Sequence, residues 1–258
     1  MNYYLRSIKT LFQGVQNWFV LVRLATRNPS DAPLELKLRD GLRFRVSTLM
    51  DAWIIKETLL DCEYEAVSLP LEPNWTVLDI GAALGDYAIW AARQLPQGKV
   101  IAIEPFPRSV KLLRENLVLN SISNVEVAEV AIGGQDGQSA LQIVTGQAVQ
   151  HSTVSQTAAG GSLPVTICSL GTFLEENQIE KVDFLKIDCE GAEYEILFSC
   201  TEGTLAKIQR ICMEVHDGVT RYSCKDMVAF LEKNGYQTRL TPNPVHGELA
   251  YLYAERTR

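Results

Sequence analysis

Thr76-Val77-Leu78-Asp79-Ile80-Gly81-Ala82-Ala83-Leu84-Gly85-Asp86-Tyr87-Ala88-Ile89 is the stretch that decides the fold. Thr76 to Ile80 read as a buried strand and Gly81 to Gly85 as a turn. A helix with Ala88, Ile89 and Ala92 inward opens from that turn. A strand carrying an acid near its end, then G-x-x-x-G and a helix N-terminus, brings backbone amides up to a ligand. This is not the dinucleotide fingerprint. Counted from Gly81, that pattern needs glycine at 83 and 86, where the chain has Ala83 and Asp86.

Downstream, the chain alternates. Val100–Ile103 reads as a second strand, followed by a helix around Val110–Leu119, and Val125–Ile132 reads as a third strand. Phe184–Ile187 is a fourth strand with a helix after Gly191, and Ile211–Val215 is a fifth. A helix at Lys225–Lys233 and strands near Tyr236–Leu240 and Leu249–Ala254 close the chain. This order predicts an α/β fold: a mostly parallel sheet covered on both faces, with an antiparallel hairpin at one edge. One stretch breaks the order. Gly137 to Leu174 contains no Asp, Glu, Lys or Arg. Leu141 and Ile143, with Leu163, Val165 and Ile167, fit an inserted strand pair, and Thr145–Ser162 reads as a long mobile cover between them.

Upstream, Leu34–Leu38 and Leu42–Val46 alternate apolar and polar around Arg39-Asp40-Gly41. A three-residue loop with Gly41 left-handed sets Leu38 opposite Leu42, Leu36 opposite Phe44 and Leu34 opposite Val46. A two-residue loop sets leucines against arginines, so register favours the longer one. Residues 51–65 read as a helix with Trp53, Ile54, Leu59 and Leu60 inward. Leu5, Ile8, Phe12, Val15, Phe19 and Val22 recur at helical spacing, in a segment with Arg6, Lys9, Arg23 and Arg27 and no acid before Asp31. Such a helix either packs on the main domain or lies on an anionic membrane or a partner. The longest apolar run, Trp18–Val22, is too short to span a bilayer. Residues 1–65 are therefore read as an N-terminal extension and residues 66–258 as the main domain.

Composition narrows the function. The chain has 258 residues, 47% of them hydrophobic, and a net charge of −7, which excludes a disordered chain and argues against phosphate-neutralising nucleic-acid binding. Its six cysteines form no C-x-x-C pair and read as reduced thiols, which points to a cytoplasmic setting.

Glu104 ends the second strand, where an acid accepts hydrogen bonds from both ribose hydroxyls of a nucleoside, and Pro105 and Pro107 stiffen the backbone after it. Without a pyrophosphate cradle, loop and acid together suit S-adenosylmethionine better than a dinucleotide. The ends of strands four and five carry the remaining polar groups. Lys186-Ile187-Asp188-Cys189-Glu190-Gly191-Ala192-Glu193 and Glu214-Val215-His216 meet at one mouth if those strands are neighbours. Lys186, inside a buried strand, needs a partner, with Asp188 or Glu190 as candidates. Glu193 serves either the site or the dipole of the first helical turn.

The D-x-G-A-x-x-G loop, Ile103-Glu104-Pro105, Lys186–Glu193 and Met213-Glu214-Val215-His216 together resemble the FkbM-type methyltransferase family. The resemblance implies a class I S-adenosylmethionine-dependent fold and O-methylation of sugar, glycan or polyketide-type hydroxyls. It departs from the family at Ala83, where Asn is common. On this reading, Asp79, Gly81, Ala82, Gly85, Asp86, Tyr87, Glu104, Pro105 and Ala131 bind the cofactor. Lys186, Glu190 and Glu193 bind the acceptor, and His216, Asp188 and Glu214 do the chemistry. His216 is the expected base, its unperturbed pKa lying nearest neutrality, with Asp188 as the competing assignment. No metal ligands are assigned; a metal-assisted O-methyltransferase is a further variant in which Asp188, Glu190 and Glu214 hold Mg²⁺, though they show no distinctive ligand spacing. A nicotinamide-dependent oxidoreductase or an inactive cofactor-binding scaffold are the alternatives. The expected partner is a small-molecule or glycan acceptor, with no nucleic acid and possible peripheral membrane contact through residues 1–30.

Overall fold

The computed structural model describes residues 3–26, 28, 31–142, 162–189, 191–243, 247 and 249–257. The chain opens with α1 (Tyr3–Gly14) and α2 (Phe19–Thr26), then the hairpin of β1 (Leu34–Lys37) and β2 (Arg43–Val46). The single N-terminal helix expected from the spacing of Ile8, Phe12, Val15, Phe19 and Val22 is instead broken. Val15 leaves α1 to bridge Leu38, and Gln16 N–H donates to the Lys37 carbonyl, so the hairpin captures the chain between the helices. The hairpin register is the expected one, with Leu34 opposite Val46 and Leu36 opposite Phe44. Leu38 N–H donates to Leu42, and Gly41 takes φ +95°.

The helix expected over 51–65 is three pieces: α3 (Leu49–Ile55), a π-helical turn (Lys56–Leu60) and α4 (Glu63–Val67). Thr48 caps α3 in a capping box with Asp51. The π turn adds a residue to the winding and rotates the inward face. Ala52, Ile55, Lys56 and Thr58 are buried, whereas Trp53, Ile54, Leu59 and Leu60 are only partly so.

The core is a seven-stranded sheet. Its strands enter in chain order as β3 (Thr76–Ile80), β4 (Lys99–Ile103), β5 (Val125–Ala128), β9 (Phe184–Ile187), β10 (Arg210–His216), β11 (Tyr236–Pro242) and β12 (Leu249–Arg256). The spatial order is β11-β12-β10-β9-β3-β4-β5. β10, β9, β3, β4 and β5 run parallel, while β12 pairs antiparallel with β10 and with β11. The reversal of order between β3 and β9 opens a crevice at the strands' carboxyl ends. Helices α5 (Asp86–Gln94) and α6 (Pro107–Leu119) follow β3 and β4. Helices α8 (Glu193–Phe198), α9 (Glu202–Ala206) and α10 (Cys224–Lys233) connect the later strands.

The strand expected over Val125–Ile132 divides. Val125–Ala128 stays in the main sheet, and β6 (Ala131–Gly133) turns away into a three-stranded sheet with β7 (Gly137–Gln142) and β8 (Ser162–Ser169), ahead of α7 (Leu170–Glu176). The inserted pair forms, with Leu141 opposite Leu163 and Ser139 opposite Val165. The loop read at Thr145–Ser162 lies, but for its last residue, outside the described residues. Two large apolar clusters flank the sheet. One joins residues 15–67 to β3, α5 and β12 through Leu36, Phe44, Ile55, Val77, Ile89 and Tyr253; the other packs Ile80, Ile103, Leu185 and Val215 against α7–α10.

Candidate active site

A cleft of ≈ 580 Å³ runs along the carboxyl ends of β3, β4, β9 and β10. Gly81, Ala83, Asp86, Glu104, Pro105 and Ala131 line one half; Lys186, Asp188, Glu214 and His216 line the other. Gly81, at φ +79°, passes so close to β9 that a Cβ there would lie 1.9 Å from the Asp188 carbonyl oxygen. Glycine is therefore obligatory at this crossing. Ala83 follows at φ +45°, a left-handed conformation that turns its N–H onto Glu104 Oε2 at 3.0 Å. Glu104 Oε1 accepts the Phe106 N–H at 2.9 Å. Burial pushes the Glu104 carboxyl up to about 7, against the pull of those two N–H groups. Asp86, at the start of α5, is raised to about 6 by burial, partly offset by the Lys186 charge.

Several residues expected at the cofactor do not line the cleft. Asp79 is fully buried and faces Lys186 across the β3–β9 register, Oδ1 to Nζ 3.2 Å. Lys186 also donates to the Gly81 carbonyl at 3.2 Å and stands 3.9 Å from Asp188 Oδ2. Among the described residues Asp79, rather than the expected Asp188, is thus its nearest carboxylate. Burial alone would lower the Lys186 ammonium, but the charges of Asp79, Asp188 and Asp86 outweigh it and keep the group charged. Ala82 and Tyr87 are buried, Tyr87 packing against Tyr64, Trp90 and Phe184, and Gly85 caps α5. Glu190 lies outside the described residues.

Glu193, read as serving the site or the first helical turn, opens α8 and is fully buried beside His216, outside the cleft lining. Its Oε1 accepts the N–H groups of Cys189 (2.9 Å) and Gly191 (3.1 Å) and stands 3.1 Å from His216 Nδ1. A carboxylate oxygen that already accepts two N–H bonds receives the third from an Nδ1–H, so the imidazole lone pair sits on Nε2. Asp188 Oδ2 accepts the Tyr64 hydroxyl at 2.7 Å. Asp188, Glu193 and His216 each bring a potential metal-ligand atom within 4.8 Å of the others, but Glu193 Oε1 is committed to the three N–H groups.

The half of the cleft lined by Lys186, Asp188, Glu214 and His216 has further walls that sequence reasoning missed. Trp53, Glu57 and Glu63 come from the segment after the N-terminal hairpin and Tyr251 from β12. Glu63 accepts the Tyr251 hydroxyl. Tyr251 lies directly opposite Glu214 in the β10–β12 register, a clue available once the C-terminal hairpin is placed. Burial and then the Asp188 charge push the Glu214 carboxyl up to about 9, which favours its protonated, hydrogen-bond-donating form. Burial likewise raises Glu63.

The parallel sheet with its hairpin edge and the glycine loop opening α5 at the crevice define a class I methyltransferase. The same fold occurs in the Methanococcus jannaschii fibrillarin pre-rRNA processing protein, at a TM-score of 0.52 and 16% identity, over 90% of this chain and 85% of that one. Residues 79–238 match the methyltransferase FkbM domain, and the chain belongs to that family. It is 22% identical to the 31-O-demethyl-FK506 methyltransferase FkbM of Streptomyces tacrolimicus, over 88% of this chain and 99% of that protein. It is 24% identical to the hexuronic acid methyltransferase AglP of Haloferax volcanii, over 88% and 90%. A further match, 22% identical over 85% of the chain, is the AMB antimetabolite synthetase AmbE of Pseudomonas aeruginosa, of which this chain spans only 12%.

S-adenosylmethionine is the cofactor, and the residues present fit it. Glu104 is a buried carboxyl at the cleft that would face a ribose diol, and Ile103, Val130, Ala131 and Ile132 form an apolar wall that would suit a purine.

Proposed function

We propose that the chain methylates a hydroxyl of a sugar, glycan or polyketide-type acceptor, with His216 as the proton acceptor. The observation that carries this reading is the Glu193–His216 pair at the mouth of β10. The names of the relatives, one a hexuronic acid methyltransferase and one a 31-O-demethyl-FK506 methyltransferase, support the acceptor class. When bound, S-adenosylmethionine supplies a methyl group on a sulfonium centre. A hydroxyl is a poor nucleophile, so its proton must leave as the carbon–oxygen bond forms. His216 Nε2 takes that proton, and Glu193 holds the ring and stabilises the imidazolium. Asp188, held by Tyr64 and facing Lys186, orients the hydroxyl rather than deprotonating it. Glu214, protonated, donates to an acceptor oxygen, and Trp53 and Tyr251 offer aromatic surface to a sugar or macrocycle.

The test is product formation from a panel of sugars and hydroxylated polyketides, read by mass as a gain of one methyl group. His216→Gln should lower turnover by about 10²-fold or more with cofactor affinity kept. Turnover within a few-fold of wild type removes His216 as the base, and Asp188→Asn then decides the competing assignment. Turnover lost on chelation and restored by Mg²⁺ replaces the proton-acceptor role with a metal held by Asp188, Glu193 and His216.

A further inference from the structure

Helices α1 and α2 are apolar on two sides. One side packs into the protein: Val15, Val20 and Leu24 are buried, and Leu11 and Leu21 press against the same cluster. The other side faces water. Ile8, Phe12, Trp18, Phe19 and Val22 are each 46% to 58% exposed, and the Phe12 and Trp18 rings meet at a centroid distance of 5.6 Å. Those five account for most of the large exposed apolar side chains among the described residues, gathered within fifteen positions of sequence. Isolated exposed apolar residues need no explanation, but five within fifteen positions, two of them with rings in contact, do.

The charges within this N-terminal segment have one sign. Residues 1–30 hold Arg6, Lys9, Arg23 and Arg27 and none of the chain's 31 acidic residues, although the whole chain is acidic. Lys9 follows Ile8 and precedes Phe12 by three positions, and Arg23 follows Phe19 by four, so helical spacing sets exposed cations beside the exposed rings. Long cationic side chains beside aromatic residues reach toward headgroups while the rings enter the interface. A second copy docking face to face would instead bring two like-charged segments together. Among the described residues no helix is long and apolar enough to cross a membrane.

We infer that α1 and α2 form a peripheral membrane-docking surface for anionic lipid. The inference is independent of the acceptor chemistry proposed above. Helix α2 packs on α3, whose Met50, Trp53 and Ile54 line the cleft, so docking sets the acceptor mouth near the lipid surface.

Vesicle sedimentation of the full chain tests it, using phosphatidylcholine alone and phosphatidylcholine with about 30 mol% phosphatidylglycerol, at about 0.1 M and about 0.5 M salt. The expected result is at least about tenfold stronger partition onto the anionic vesicles at low salt, weakened by high salt. Phe12→Ser with Phe19→Ser, and separately Lys9→Glu with Arg23→Glu, should each lower that partition by about tenfold while leaving circular dichroism, melting temperature and cofactor affinity unchanged. These side chains are solvent-exposed, so the variants fold. Absence of vesicle binding by the wild-type chain overturns the inference, as does equal binding to both lipid compositions. Sedimentation equilibrium showing a dimer that Phe12→Ser with Phe19→Ser dissolves also overturns it, and assigns the face to a second copy.

Discussion

Two side chains at the crevice carry consequences of their own. Ala83 holds φ +45° because the loop must turn its N–H onto Glu104, and a non-glycine residue there costs about 1 kcal/mol. Asn tolerates this conformation better, which gives a physical reason for the family's preference at the position. Ala83→Asn is expected to raise stability by about 0.5 kcal/mol in urea denaturation, and a loss of stability would show that the loop is held by packing instead. Glu193 acts through His216. Glu193→Gln keeps an acceptor for the Cys189 and Gly191 N–H groups but removes the charge beside the imidazole. The acid limb of the turnover profile should move to lower pH and turnover should fall about tenfold with acceptor KM little changed. An acid limb that stays in place would mean the pair is a packing contact only.

At the scale of elements, residues 49–67 build the acceptor wall, and Lys56 fixes their shape. Its ammonium is fully buried, 2.5 Å from Asp61 and 4.4 Å from the centre of the Trp53 ring, inside the π turn. Lys56→Met keeps the volume and removes the charge, and Asp61 is partly solvated and tolerates the loss. The expected cost is about 1–3 kcal/mol, with acceptor KM raised and cofactor affinity kept, measured by denaturation and calorimetry. A change in cofactor affinity without one in acceptor KM would detach the turn from the acceptor site. This segment also marks where sequence reading stopped. Local patterns were legible: strand–loop–helix at 76–94 and the 34–46 hairpin with its register. Each rests on periodicity or turn chemistry within a few residues. Tyr64 reaching Asp188 across 124 positions leaves no such local trace. Likewise, the spacing of Ile8, Phe12, Phe19 and Val22 marks an amphipathic helix without saying which apolar side the core takes. The π turn and the departure of β6 from β5 are tertiary outcomes that hydrophobic spacing does not encode.

The whole molecule combines a net charge of −7 with acids driven into one crevice, and the sign of the resulting pH dependence follows directly. Burial raises Asp86 to about 6, Glu104 to about 7 and Glu214 to about 9. A carboxyl with a raised folded-state pKa binds its proton more tightly folded than unfolded. Its stabilisation is complete below the unfolded value, about 4, and is lost as pH rises through the folded one. The cofactor-free chain should therefore melt at progressively lower temperature from pH 5 to pH 9. We propose that S-adenosylmethionine opposes this trend, because ribose hydroxyls would donate to an ionised Glu104. Cofactor affinity should rise with pH through about 7, and the melting-temperature gain on adding cofactor should be larger at pH 8 than at pH 5.5. Glu104→Gln removes one titration without removing the side chain. It should flatten both the loss of stability and the rise in affinity around pH 7, leaving the later fall attributable to Glu214 intact. Scanning calorimetry across this range, with and without cofactor, reads all three. A melting temperature that climbs from pH 5 to pH 9 in the free chain would show the crevice carboxyls ionised throughout, and the assignment of Glu104 to the ribose would lose its electrostatic basis.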